Sequence, residues 1–169
     1  MRQYLSGIAN PSTPKSKLGM SVADEREQLD AVMSGLPIPD QVVFEALTLG
    51  GRPATKVLPN DCAFDRAVLF FHGGGYRVGS LKGFKSFMAY LARACGVPVY
   101  GLDYRLSPEH TYPAALNDAV SAFDALSQTF APERIMFVGD SAGGGLALAS
   151  LLTLKENGLA LAGAAALLS

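Results

Sequence analysis

The chain has 169 residues, of which 49% are hydrophobic and 17% charged, proportions typical of a globular domain and unlike those of disordered or collagen-like chains. Its 14 basic and 15 acidic side chains leave a formal net charge of −1. That balance provides no field to hold nucleic acid or an anionic membrane surface, so we expect neither partner. The two cysteines, Cys62 and Cys95, lack metal-ligand spacing, which excludes a disulfide framework and a zinc site and favours a reducing compartment.

Neither end of the chain carries a membrane or export signal that we can recognise. The most apolar stretch, residues 159–168, is far shorter than the ~18 residues that cross a bilayer. Residues 1–19 are polar and lack the apolar centre of a signal peptide. We therefore expect a cytoplasmic protein with no metal site.

Residues 1–40 are predicted to form a flexible lead-in followed by one amphipathic helix. Ser21 and Asp24 have the spacing of a capping box, which predicts the start of the helix. Pro37 and Pro39 would end it. Its apolar side chains recur at helical spacing on one face, and they are Val22, Leu29, Val32, Met33 and Leu36.

From residue 41 onward the pattern is that of an α/β domain. Two strands are predicted over residues 42–49 and 54–58, joined by a hairpin turn at Gly50-Gly51. Buried strands and helices then alternate: strands over residues 67–71, 97–102, 134–138 and 164–168, and helices over residues 84–95, from Pro113 through Phe123, and over residues 142–157. This alternation predicts a doubly wound, mostly parallel sheet with helices on both faces.

A turn that follows the strand at 134–138 carries a serine in a reactive pattern. Residues 139–144 are Gly-Asp-Ser-Ala-Gly-Gly, which satisfies Gly-x-Ser-x-Gly between a strand and a helix. The small residues permit a sharp turn that strains the serine backbone and lifts its hydroxyl clear at the carboxyl end of the sheet. We predict that Ser141 is a nucleophile. The alternative is a tight turn that only lets the helix pack close to the sheet.

A second glycine-rich turn, His72-Gly73-Gly74-Gly75-Tyr76, directly follows the strand at 67–71. Backbone N–H groups of consecutive glycines can point into a cavity and stabilise negative charge on a carbonyl oxygen. A phosphate-binding loop is excluded because Ser80 stands where its lysine is required, and the dinucleotide-binding fingerprint is absent. A flexible loop without a site is the remaining alternative.

Four segments, taken in order, resemble the hormone-sensitive-lipase branch of the α/β-hydrolases, in particular bacterial acetyl esterases and monoterpene ε-lactone hydrolases. They are residues 72–75, 103–110, 112–115 and 139–144. The resemblance runs from about residue 25 to the end. It implies an N-terminal cap helix within residues 1–40, and the first six or so strands of an eight-stranded sheet in residues 41–169. It also implies cofactor-free hydrolysis of a small ester or lactone through an acyl-serine intermediate.

The resemblance implies roles for residues of both turns. Ser141 would attack the ester carbonyl. The N–H groups of Gly74, Gly75 and Ala142 would form the oxyanion hole, with Gly73 as a less favoured member.

Supporting roles are also implied around these turns. His72 would brace the glycine turn through side-chain hydrogen bonds without transferring protons, and Asp140 would be a structural turn residue. Tyr76 would line the substrate pocket or simply pack. Three charged residues would tie down the loop beneath the site or form only a surface ion-pair cluster; they are Asp103, Arg105 and Glu109.

A base for Ser141 is missing from the sequence. In this fold the chain order is serine, then an acid, then histidine, but only Glu156 and no histidine follow Ser141. His72 and His110 both precede it, and the loop position of His110 favours a structural role. We therefore expect the amino-terminal part of a longer hydrolase, with little turnover alone and an unpaired last strand.

Other interpretations stay open. A module that binds a small ligand on the same fold is the alternative to an enzyme. A second copy, or a complementary C-terminal chain, are the protein partners that we would test.

Overall fold

The computed structural model describes residues 19–169, so the predicted lead-in lies almost entirely outside the described residues. In chain order the elements are α1 (Val22–Ser34), β1 (Val42–Leu49), β2 (Arg52–Pro59), β3 (Ala67–Phe71), α2 (Lys85–Cys95), β4 (Val99–Leu102), α3 (Ala114–Leu126), a 3-10 turn (Pro132–Arg134), β5 (Ile135–Asp140), α4 (Ala142–Glu156) and β6 (Ala164–Leu168). None of the helices in this range is long and apolar enough to span a bilayer.

The strands of the described chain form one sheet in the order β1-β2-β4-β3-β5-β6. β1 and β2 are an antiparallel hairpin whose turn residues, Gly50 and Gly51, have φ of 58° and 79°. β2 is antiparallel to β4, and β4, β3, β5 and β6 run parallel to one another. The predicted mostly parallel α/β sheet is therefore confirmed.

Helices cover both faces of the sheet, as predicted. Side chains alternate along a strand, so Leu69 and Phe71 of β3 join the core under α3 and α4. Val68 and Phe70 join a second core under α2 on the opposite face. Every residue of β3 is buried, which makes this strand the centre of the domain.

Some predicted boundaries differ by a few residues. β2 begins at Arg52 instead of residue 54, because it pairs with β1 along its whole length. β4 begins at Val99 instead of residue 97, and Pro98 just before it has no N–H for a sheet hydrogen bond. Pro113 precedes α3 as its N-cap and is not its first residue.

α1 begins at the predicted capping box but does not bury its apolar face. The Asp24 N–H donates to the Ser21 hydroxyl at 3.1 Å, and the Ser21 N–H donates to the Asp24 carboxylate at 3.2 Å. No residue of α1 is buried, and Val32 is 69% exposed. The helix is attached mainly through charged side chains, and Met33 packs partly buried against the core under α2. The division of the chain at residue 40 stays a prediction.

β6 forms where a strand is predicted, but its side chains are not buried. It pairs with β5 on one side and lies at the edge of the described sheet. Leu167 and Leu168 are 49% and 40% exposed, and Leu148 and Leu152 of the neighbouring α4 are 47% and 51% exposed. A continuous apolar run predicted a strand covered on both faces, and within residues 19–169 that cover is incomplete.

The packing of Phe137 provides a test of this core. Its ring is fully buried and meets Phe71 and Phe123 edge-on, with centroids 5.5 Å and 5.1 Å away. We expect Phe137→Ala to lower the free energy of unfolding by about 3–5 kcal/mol, because contacts are lost and a cavity remains. Urea unfolding followed by circular dichroism measures this change.

The matched control is Phe64→Ala, the same substitution at a side chain that is 65% exposed. It should change the free energy of unfolding by no more than about 0.5 kcal/mol. Equal losses from both variants would contradict the placement of Phe137 in the core.

Candidate active site

The two glycine-rich turns leave the sheet side by side. β3 and β5 are parallel neighbours, and Phe71 lies opposite Gly139 in their register. Since the carboxyl ends of parallel strands meet at the same edge, the turn after β3 and the turn after β5 start from adjacent points. These are the turn containing residues 72–76 and the turn containing Ser141.

The turns also touch, and glycines make that contact possible. A Cβ at Gly143 would overlap the carbonyl oxygen of Phe71 and come within 2.7 Å of the carbonyl oxygen of His72. A Cβ at Gly73 would overlap the carboxylate of Asp140. Each turn therefore presses its backbone against the other, and larger residues at these positions would separate them.

Ser141 has the strained backbone that its motif predicts. Its φ of 50° and ψ of −115° lie in a region that non-glycine residues rarely adopt. Its N–H donates to the Leu168 carbonyl at 2.8 Å, and its carbonyl accepts from the N–H groups of Gly144 and Gly145 at 2.9 Å and 3.2 Å. The residue is exposed at the amino end of α4, where the helix dipole is positive.

Three successive residues of the other turn have positive φ: Gly74 at 122°, Gly75 at 62° and Tyr76 at 59°. The turn is closed by the N–H groups of Arg77 and Val78, which donate to the Gly74 carbonyl at 3.1 Å and 3.0 Å. A Cβ at Gly74 would overlap the Val78 carbonyl, whereas the space at Gly75 is open. Gly74 therefore requires glycine both for its φ and for its lack of a side chain.

The N–H groups predicted as oxyanion donors are available. Among residues 19–169, the N–H groups of Gly74, Gly75 and Ala142 donate to no acceptor. Gly73, the less favoured member in the prediction, is buried against Asp140. Free N–H groups on two touching turns are what a site for a developing negative charge requires.

A cavity of about 510 Å³ opens between the glycine turn and α1. The turn and the two residues after it contribute Gly74, Gly75, Arg77 and Val78, and α1 contributes Glu25, Gln28, Leu29 and Val32. Ser141 is not among the lining residues. Gly74 and Gly75 therefore line a space between the turn and the helix, whereas Ser141 is exposed outside that lining.

His72 is a fully buried residue beneath the glycine turn. Its ring stacks on Tyr104 with centroids 4.4 Å apart, and the Tyr104 hydroxyl donates to the His72 carbonyl at 2.6 Å. Nδ1 lies 2.8 Å from the Gly73 carbonyl, and since a carbonyl only accepts, Nδ1 carries the proton. Burial lowers the pKa of His72, so the ring is neutral and holds the turn by a donated hydrogen bond.

The charged residues of the segment after β4 have partners that the sequence analysis missed. Arg105 binds Asp118 of α3 through both carboxylate oxygens, the shortest contact being 2.7 Å, and its N–H donates to the same carboxylate at 2.9 Å. Glu109 binds Arg26 of α1 at 2.7 Å. The sequence holds a sign of the Arg105 partner: Asp118 is a carboxylate within the apolar stripe of α3. It is 4% exposed in the structure.

The other residues singled out in the sequence, Asp103, Tyr76 and His110, lie in three different environments. The Asp103 carbonyl accepts from Arg52 at 3.3 Å, and burial raises the pKa of the Asp103 carboxyl. Tyr76 is half-buried. Its hydroxyl lies beside Gly145 of α4, 2.9 Å from the position that a Cβ on this glycine would occupy. His110 is exposed in the loop before α3. In residues 19–169 no group of three or more His, Cys, Asp or Glu side chains could hold a metal ion.

Comparison with known proteins fits this geometry. Residues 68–169 match a family model described as the alpha/beta hydrolase fold. The chain is 36% identical to a versiconal hemiacetal acetate esterase of Emericella nidulans, over 73% of this chain and 43% of that protein. It is 42% identical to an acetyl-hydrolase of Streptomyces hygroscopicus, over 62% of this chain and 35% of that protein.

Solved structures agree with the sequence matches. The crystal structure of an esterase from the bacterial hormone-sensitive lipase family superposes with a TM-score of 0.83 at 36% identity, covering 91% of this chain and 51% of that one. The chain thus spans about half the length of this structure and less of the two enzymes above. With a family model matching residues 68–169, the chain belongs to the alpha/beta hydrolase fold family.

Proposed function

We propose that this chain supplies the nucleophile and the oxyanion hole of a carboxylic-ester or lactone hydrolase. The observation that carries the proposal is the contact between the strained Ser141 turn and the glycine turn. Among residues 19–169, the N–H groups of Gly74, Gly75 and Ala142 in these two turns donate to no acceptor. The names of the similar proteins, acetyl-hydrolase and acetate esterase, support a small acyl group.

The proposed chemistry follows from these groups. The Ser141 hydroxyl oxygen attacks the carbonyl carbon of the ester while a base takes its proton. The carbonyl oxygen becomes negative and receives hydrogen bonds from the N–H groups of Gly74, Gly75 and Ala142. When the carbonyl re-forms, the bond to the alcohol breaks and the alcohol leaves with the proton. Water then cleaves the acyl-serine ester by the same route.

We propose that neither histidine of the chain is the base. His72 is buried and its Nδ1 proton is donated to the Gly73 carbonyl. His110 is exposed on a loop, and among the described residues the Ser141 hydroxyl hydrogen-bonds to neither ring. No histidine follows Ser141 in the 169 residues. The lack of a hydrogen bond between the Ser141 hydroxyl and either ring among the described residues supports the second candidate function, a module that binds a small carbonyl ligand without turning it over.

Labelling with a fluorophosphonate tests the nucleophile. We expect slow modification at Ser141, because the oxyanion donors and the binding site retain part of the rate enhancement when the base is absent. Intact mass and peptide mapping locate the label. Ser141→Ala should abolish the modification, and Ser34→Ala, at another exposed serine, should not change it. A label distributed over several serines would contradict the proposal and favour the binding module.

A substitution in the glycine turn tests the oxyanion hole. In Gly74→Ala the new Cβ overlaps the Val78 carbonyl, and φ of 122° disfavours alanine. We expect the rate of Ser141 labelling to fall by about 10²–10³, the usual effect of losing an oxyanion donor. Gly158→Ala is the matched control, since this glycine also has positive φ but nothing within 4 Å of a Cβ. An equal effect of both substitutions would contradict the role of Gly74.

Ester hydrolysis by the unmodified chain tests the missing base. With p-nitrophenyl acetate as substrate, we expect the 169-residue chain to hydrolyse no faster than its Ser141→Ala variant, because serine alone is a weak nucleophile. The release of p-nitrophenolate measures the rate. Fast hydrolysis that depends on Ser141 would show that these residues contain a base after all.

A further inference from the structure

α1 contacts the glycine turn through polar groups. Arg77, next to the turn, pairs with Glu25 of α1 at 2.8 Å. Ser80, three residues later, donates to the Asp30 carboxylate at 2.7 Å. Arg26 lies between these two contacts on α1, and no residue of the helix is buried. Charged and polar side chains of α1 therefore meet the segment that closes the glycine turn.

Arg26 makes the most extensive of these contacts. Its Nε donates to the Arg77 carbonyl at 2.9 Å, and its Nη2 donates to the Ser107 carbonyl at 3.1 Å. Nη1 and Nη2 also donate to the two carboxylate oxygens of Glu109, at 3.0 Å and 2.7 Å. One guanidinium thus connects α1 to two loops that are separated by about thirty residues of sequence.

Both carbonyls that Arg26 binds belong to residues whose N–H groups hold the glycine turn. The N–H of Arg77 donates to the Gly74 carbonyl at 3.1 Å, and the N–H of Ser107 donates to the Tyr76 carbonyl at 2.8 Å. Arg26 therefore binds Arg77, the residue after the turn, and Ser107, whose N–H donates to the Tyr76 carbonyl. We expect a change at either attachment to move the turn that carries the Gly74 and Gly75 N–H groups.

We propose that Arg26 is a positioning residue, which orients the N–H groups of the glycine turn by binding the carbonyls of Arg77 and Ser107. The role rests on the proposed function, since those N–H groups are the proposed oxyanion donors. The Glu109 carboxylate orients the guanidinium. It is not the main attachment, because the side chain of Glu109 is 52% exposed and exposed ion pairs contribute little.

Hydrogen exchange of the intact 169-residue chain, followed by mass spectrometry, tests this role. In Arg26→Gln we expect the peptide covering residues 73–80 to exchange at least about tenfold faster, because two hydrogen bonds from a charged donor are lost. The peptide covering β5 should keep its slow exchange, which shows that the fold is intact. Arg66→Gln is the control, because Arg66 pairs with its neighbour Asp65 on the surface, at 2.9 Å, and should change neither peptide.

Two further variants separate positioning from simple charge pairing. Arg26→Lys keeps the charge but lacks the planar guanidinium, so exchange of residues 73–80 should become faster by a smaller factor than in Arg26→Gln. This variant also tests the role if Arg26→Gln does not fold. Arg26→Glu combined with Glu109→Arg restores an ion pair without the carbonyl contacts, and exchange should stay fast. Normal exchange in this double variant, or in Arg26→Gln, would overturn the proposal.

The failure of this role is distinguishable from the failure of the proposed function. Exchange is measured without substrate, so it reports on the turn whatever the reactivity of Ser141. Fluorophosphonate labelling of the Arg26→Gln chain should be slower than that of the unmodified chain, in step with the faster exchange. Labelling that survives in Ser141→Ala would contradict the hydrolase, whereas unchanged labelling and exchange in Arg26→Gln would contradict only the role of Arg26.

Discussion

The backbone contact between the first turn of α4 and the end of β3 is the constraint on which the candidate site depends. Gly143 lies against the carbonyl oxygens of Phe71 and His72 so closely that a Cβ would overlap the first of them. Because β3 and β5 are adjacent and parallel, this contact fixes the Ser141 turn relative to the glycine turn. The alignment of the two turns thus comes from contact between their backbones.

The strained backbone of Ser141 is held by hydrogen bonds on both sides of the residue. A non-glycine residue at positive φ costs on the order of 1–3 kcal/mol. Its N–H is bonded to Leu168 of β6 and its carbonyl to Gly144 and Gly145 of α4. β6 therefore has a second role besides extending the sheet. A substitution that loosens this edge strand would relax the serine turn before it disturbed β3, which is buried throughout.

Local patterns in the sequence were sufficient for the strands, the helices and the two turns, because these depend on apolar periodicity, glycine and capping residues. The partners of charged residues could not be read in this way. Arg26 and Glu109 are 83 residues apart in the chain, and only the folded topology brings them together. Periodicity predicted only that the apolar residues of α1 share one face. The polar contacts of Arg26, Glu25 and Asp30 with neighbouring loops could not be predicted, because periodicity carries no information about ion-pair partners.

This polar attachment of α1 has a consequence for access to the cavity beneath it. A helix docked by apolar side chains is held by about 25 cal/mol for each Å² removed from water, and it cannot lift without exposing that surface. α1 buries none of its own residues, and Val32, which lines the cavity, is 69% exposed. Apart from the partly buried Met33, displacing the helix exchanges ion pairs and hydrogen bonds with water, at a smaller cost that salt screening lowers further. The contacts that attach α1 to the segment after the glycine turn thus leave this helix less firmly held than the core that carries Ser141.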